Sequence, residues 1–209
     1  MAADVPLLNK DKHIQYWLRC LQTPLPTAYT SNDASRMTLA FFSISALDLL
    51  GVLFTLTEPE ERREYADWIY RCQHPQGGFR GFPGTDLGEH RTPDNAIWDP
   101  ANLAATFFAI SALCVLGDDL KRLDRHACLA FIASLQTPSG GFAELKVGDG
   151  QHVGGGDSRF AYMAASLRWI LGGSKFPRSA NLSDIDVEAL TKSVLRAEVS
   201  TSAHIQRPV

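Results

Sequence analysis

Cys72-Gln73-His74-Pro75-Gln76-Gly77-Gly78-Phe79 returns 63 residues later as Leu135-Gln136-Thr137-Pro138-Ser139-Gly140-Gly141-Phe142. The pattern in front of the turn returns with it. Tyr65, Trp68, Ile69 and Cys72 stand at i, i+3, i+4 and i+7, the apolar stripe of one helix face, and the same offset lands on Cys128, Phe131, Ile132 and Leu135. A shift of 51 residues toward the N-terminus finds Ile14, Trp17, Leu18 and Leu21, followed by Gln22-Thr23-Pro24. A striped helix, a Gln and a Pro/Gly turn, recurring along the chain, form the pattern of a helical repeat array.

Between the striped helices lie segments of another kind. Ser35 to Leu50 and Ala101 to Leu116 match at an offset of 66, and both contain Phe-Phe-x-Ile-Ser-Ala-Leu. They are apolar almost all round, as expected of helices enclosed on both sides. Aspartates stand ready to cap them: Asp33, Asp99 with Pro100 at the first helical position, and Asp157 before a third segment, Ser158 to Leu171. Thr57 and Glu60 offer a capping box for the second striped helix. Enclosed and striped helices in alternation imply an all-α fold, an α/α toroid in which inner helices form a barrel wall and outer helices cover it. The inner N-termini, positive by their dipoles, should gather at one end. Arg36 and Arg159 sit there, where a cation gains nothing from the dipole; each needs an acid (Asp33 or Asp157) or a ligand as partner.

Bulk properties narrow the function classes. A charge of −3 leaves no footprint for nucleic acid or an anionic membrane. The cysteines form no C-x-x-C pair, and Cys72, Cys114 and Cys128 fall in apolar helical patterns, so they read as reduced, buried thiols. No apolar run reaches membrane-spanning length, and Asp4, Asn9, Lys10, Asp11 and Lys12 do not make a signal peptide. A cytoplasmic protein is expected.

Asp33-Ala-Ser-Arg-Met-Thr-Leu-Ala-Phe-Phe, Leu113-Cys-Val-Leu-Gly-Asp-Asp-Leu and Asp157-Ser-Arg-Phe-Ala-Tyr-Met-Ala-Ala-Ser, in this order and spacing, resemble the β subunits of protein prenyltransferases. Within that family the likeness is greatest to the type I geranylgeranyltransferases, from about Ile14 to Leu171. The resemblance implies a heterodimer with a helical α subunit. It also implies geranylgeranyl diphosphate held in an aromatic-lined funnel, and Zn2+ binding the cysteine thiolate of a C-terminal CaaX motif in proteins such as small GTPases. Zinc would keep that thiol ionised at neutral pH, cationic side chains would stabilise the departing diphosphate, and an apolar barrel would gain about 0.8 kcal/mol per buried methylene.

Residue by residue, the resemblance assigns Thr38, Phe107, Arg159 and Tyr162 to the isoprenoid, and Ser35, Phe42, Asn102 and Ala104 to the peptide. Thr38 stands where farnesyl enzymes have a bulky tryptophan, Phe107 where the family usually has tyrosine, and Asn102 where it more often has histidine. By pattern alone, Thr38, Phe42, Phe107 and Tyr162 read as packing residues of enclosed helices.

The family's zinc ligands, in a V-D-x-C-Y-S-F-W motif and a later histidine, have no counterpart in this sequence, nor do its diphosphate-holding His, Arg and Lys. His74 reads as a turn residue, His90 as a loop residue and His126 as lying beside an outer stripe, so no metal ligand and no catalytic residue is assigned. Asp184 to Val194 begins like another outer helix, but Leu195 stands where Gln is due and Val199-Ser200 where Gly-Gly is due. The expectation is therefore N-terminal toroid repeats over 1–195, an open arc, then a non-family, disordered tail over 196–209. Such an arc would be marginal in stability and inactive alone. A non-catalytic subunit that binds the α partner or an isoprenoid is the alternative. A class II terpene cyclase is disfavoured, because its D-x-D-D motif is missing and Phe79 and Phe142 replace its repeat tryptophan. Gly154-Gly155-Gly156 and Gly172-Gly173-Ser174-Lys175 lack P-loop spacing and read as loops, as does the stretch from Asp149 to Asp157. The long connection from Gly81 to Pro100 either overhangs the funnel mouth or crosses the surface.

Overall fold

The two quoted turns close with the same hydrogen bonds in the computed structural model, which describes residues 8–148, 150–173 and 184–205. His74 N–H donates to Gly78 O and Gly77 N–H to His74 O, each at 2.9 Å; Thr137 N–H to Gly141 O and Gly140 N–H to Thr137 O repeat both distances. Gly77 (φ +93°) and Gly140 (φ +87°) occupy the left-handed region. A Cβ on Gly77 would lie 2.1 Å from Ala127 O, and one on Gly140 2.1 Å from Ala189 O. Each turn thus lies directly on the backbone of the next outer helix, and only glycine permits that approach.

The helices are α1 (Lys10–Gln22), α2 (Arg36–Leu49), the one-turn α3 (Leu53–Leu56), α4 (Pro59–Arg71), α5 (Leu103–Val115), α6 (Arg125–Ser134), α7 (Ser158–Ile170) and α8 (Val187–Ile205). Helices α2, α5 and α7 pack side by side as the inner layer; α1 covers α2, α4 covers α5, and α6 and α8 cover α7. The α/α toroid architecture is thereby present, with one addition: an antiparallel hairpin of β1 (Leu145–Val147) and β2 (Gln151–Val153), where a loop was expected. Asp149, between these strands in the chain, and Ser174 and Lys175 lie outside the described residues.

Two of the three repeat glutamines, Gln22 and Gln136, join consecutive outer helices. Gln22 Nε2 donates to Glu61 Oε1 in α4 (3.2 Å). Gln136 brackets the peptide before α8, donating to Asp186 O (2.9 Å) and accepting from Asp186 N–H (2.7 Å). The inner N-termini meet at one end. Met37 N–H donates to Gly81 O (2.9 Å), Asn102 N–H to Phe79 O (3.1 Å) and Leu103 N–H to Glu144 O (2.8 Å).

Asp157 caps α7, accepting from Arg159 N–H at 2.8 Å. The other expected caps are corrected. Asp33 lies in a 3-10 turn, Thr27–Ser35, and Ser35 is the N-cap of α2. Helix α5 starts later than expected, with Asn102 as N-cap accepting from Ala105 N–H (2.7 Å), because Asp99 is taken by arginines. The capping box of α4 is formed by Glu58 and Glu61, one residue further on, while Thr57 is buried and donates back to Leu53 O.

Enclosure is also corrected. Helix α5 buries Leu103, Ala109, Ile110 and Leu113 fully, but the inner layer has one open face: Phe42 is 48% exposed, Tyr162 64% and Trp169 80%. Cys72 and Cys128 are buried, whereas Cys114 is exposed on that layer. The expected end of the repeats at 195 falls inside a helix, since α8 runs on to Ile205; residues 206–209 lie outside the described residues. Arg168 fastens α8 to the end of α7 through a two-pronged bond to Asp184, at 2.7 and 2.6 Å.

Candidate functional site

The Phe-Phe pairs of α2 and α5 meet across the inner layer. The Phe41 and Phe108 rings lie 5.2 Å apart, Phe42 and Phe108 5.6 Å, Phe107 and Phe108 5.4 Å, and Phe107 and Tyr162 5.6 Å. One aromatic row therefore links all three inner helices. At its α5–α7 end is an open groove of about 490 Å³, lined by Phe107, Ser111, Tyr162, Ala165, Ser166, Trp169 and Ile170. Its walls are mostly hydrocarbon, with the three hydroxyls of Ser111, Tyr162 and Ser166 and the indole N–H of Trp169, and carry no charge, a lining suited to an extended apolar ligand rather than a charged one.

The structure divides the residues assigned from sequence into two groups. Phe107 and Tyr162 line the groove, and Phe42 joins them through Phe108. Ser35, Thr38, Asn102, Ala104 and Arg159 lie instead at the first turns of α2, α5 and α7, outside the groove lining. Thr38 is half-buried, one turn before Phe42. The two first-turn arginines are held by acids: Arg36 Nε lies 2.6 Å from Asp33 Oδ1, and Arg159 Nη2 2.7 Å from Asp157 Oδ2. The bond from Arg159 holds the Asp157 carboxyl below its usual range. Trp169, two helical turns after Tyr162, had the spacing that places it on the same face, yet sequence reasoning passed over it. Ser111, Ala165 and Ser166 carried no such signal.

A buried ionic cluster, also unforeseen, lies beneath the helix starts. Asp99, fully buried, takes both Arg80 Nε and Arg80 Nη2 (the latter at 2.9 Å), and Arg91 donates to its backbone oxygen at 3.0 Å. Arg80 is 1% exposed, and its other bonds run to Gln73 O and Asp86 Oδ1, each 2.9 Å. His74 Nε2 is 3.9 Å from Asp99 Oδ2 and has no hydrogen-bond partner. Desolvation first, then Arg91 and Arg80, push His74 down to about 4, so it is neutral at pH 7. The segment from Gly81 to Pro100, three short 3-10 turns, is fixed to this cluster.

The described residues do not fit zinc. No group of three or more His, Cys, Asp or Glu comes together among them. Burial pushes the Cys72 thiol up to about 12 and that of Cys128 up to about 11, which disfavours the thiolate a metal requires. Nor is any helix among the described residues long and apolar enough to cross a membrane.

Residues 8–203 match the family model of the prenyltransferase alpha-alpha toroid domain. Geranylgeranyl transferase type-1 subunit beta of Arabidopsis thaliana is 30% identical over 174 residues, covering 78% of this chain and 44% of that protein. Protein farnesyltransferase subunit beta of Pyricularia oryzae is 30% identical over 168 residues, covering 79% of this chain and 28% of that protein. The chain thus spans less than half the length of these curated relatives. In fold it is similar to Candida albicans protein geranylgeranyltransferase-I complexed with GGPP, with a TM-score of 0.75 at 23% identity, over 91% of this chain and 51% of that one.

Proposed function

The chain belongs to the prenyltransferase alpha-alpha toroid family, and from that premise we propose that it serves as the isoprenoid- and peptide-contacting part of a type I protein geranylgeranyltransferase β subunit. Its relatives include β subunits of both the geranylgeranyl and the farnesyl kinds. The observation that carries the reading is the exposed aromatic row ending in the Phe107–Tyr162–Trp169 groove. An apolar row left open in this way, at Phe42 and Tyr162, marks a contact surface or a ligand groove, and its hydrocarbon lining suits an apolar chain. The twenty-carbon chain of geranylgeranyl diphosphate would lie along the groove, gaining about 0.8 kcal/mol per methylene buried. Thr38, small and half-buried one turn before Phe42, stands where the resemblance puts the bulky tryptophan of farnesyl enzymes and so would leave room for the longer donor. Ser35, Phe42, Asn102 and Ala104 would then face the CaaX peptide, and an α subunit would complete the heterodimer.

No transfer step is assigned to these residues. No group of three or more metal-ligating side chains comes together among the described residues, and the first-turn Arg36 and Arg159 are held by their aspartates. The role proposed for this chain is to bind and orient, so it transfers nothing alone. The test is co-purification with a type I α subunit, followed by competition between geranylgeranyl and farnesyl diphosphates and a zinc-supplemented transfer assay. A stable complex that prefers the longer donor, with Thr38→Trp reversing that preference and no transfer above background, is expected. Loss of the donor preference, or robust transfer by the complex, would overturn the reading.

A further inference from the structure

The structure assigns to Arg80 a role that neither the turn repeat nor the groove explains: it is a positioning residue that sets the spacing between the starts of α2 and α5. This inference rests on the proposed function, because those starts carry the residues read as peptide contacts.

The connection can be traced bond by bond. Gly81 O accepts Met37 N–H at 2.9 Å, and a Cβ on Gly81 would lie 1.9 Å from Ala34 O, so the segment presses directly on the start of α2. The Arg36 guanidinium lies 4.6 Å from the Phe82 ring centroid on the same side. On the other side, Phe79 O accepts Asn102 N–H at 3.1 Å, and Phe79 N–H donates to Thr106 Oγ1 at 2.9 Å, within the first turn of α5. Arg80 stands between these contacts. Its planar guanidinium grips Asp99, three residues before the Asn102 cap, through two parallel bonds. Arg91, itself mostly buried, secures the same aspartate.

A buried ion pair contributes little net stability over an apolar filling of the same space, so energy alone does not explain this one. What a two-pronged bond between planar groups supplies is a fixed distance and angle. Here it fixes where Asn102 and Ala104 stand relative to Ser35.

The test uses the whole chain and its complex with an α subunit, comparing wild type with Arg80→Lys and Asp99→Asn, which remove the fork. Arg91→Gln is the milder variant that serves if the buried substitutions fail to fold. Amide hydrogen exchange at residue 37 and residues 102–106 should accelerate about tenfold or more while α7 stays within about twofold of wild type. In the complex, affinity for a dansylated peptide ending in a CaaX motif should fall about tenfold, with affinity for geranylgeranyl diphosphate changed less than about twofold. Wild-type exchange at the helix starts, or loosening spread evenly through α7, would overturn the assignment. A wild-type complex that binds no peptide would sink the functional reading instead, and the exchange pattern would still decide whether Arg80 sets the helix starts.

Discussion

The turn that ends at Phe79 and the turn that ends at Phe142 share their backbone bonds and differ in the residue next in the chain. After Phe79 comes Arg80, almost fully buried; after Phe142 comes Ala143, also buried but with nothing to satisfy. A buried guanidinium needs an acid, and the first turn reaches 19 residues ahead to Asp99 to find one. The second turn leads into a short hairpin and meets α7 without any ion pair at Ala143. The repeat therefore dictates the fold of the turn, and the single residue after the Phe dictates what the connection to the next inner helix must contain.

The comparison can be broken most severely at the second glycine. Gly78 has φ +75° and a Cβ there would come within 2.6 Å of the Phe131 ring and 2.9 Å of Thr106 Oγ1, whereas Gly141 lies outside the left-handed region with nothing nearer than 3.6 Å. Gly78→Ala should cost about 2–3 kcal/mol from backbone strain and overpacking, and Gly141→Ala less than about 1 kcal/mol. Denaturant unfolding of both variants measures it, and equal costs would show that the turns are not distinguished by their surroundings.

A smaller effect sharpens the electrostatic side of the contrast. His74 is neutral in its buried site down to about pH 4, while the unfolded chain binds the proton from its ordinary 6.5 downward. Its contribution is thus full above pH 6.5 and is lost as the pH falls toward 4, by about 1–2 kcal/mol between pH 7 and pH 5. His74→Thr, which copies Thr137 of the second turn, should flatten that part of the stability profile. An unchanged slope in the variant would place the titrating group elsewhere.

Much of the architecture was legible because each repeat carries its own helix stripe and turn. The Phe-Phe pairs even located the row on which the groove is built. Caps were read less well, for a physical reason. An aspartate before an apolar run can cap the helix or pair with an arginine, and local sequence does not rank the two. Asp157 does both, Asp33 pairs with Arg36 without capping α2, and Asp99 is drawn into the core by Arg80 from across a long loop. Apolar composition likewise says that a face is hydrophobic and not whether protein covers it. Phe42 and Tyr162, which by pattern alone read as packing residues, lie open.

The proposed role of the chain depends on that open face. Titrating geranylgeranyl diphosphate into the complex with an α subunit, while recording indole emission with and without Trp169→Phe, tests it. A saturable change in emission that the substitution abolishes while binding persists is expected, because Trp169 forms the groove wall. A signal unaffected by Trp169→Phe, or binding without any change in indole emission, would contradict that placement of the isoprenoid.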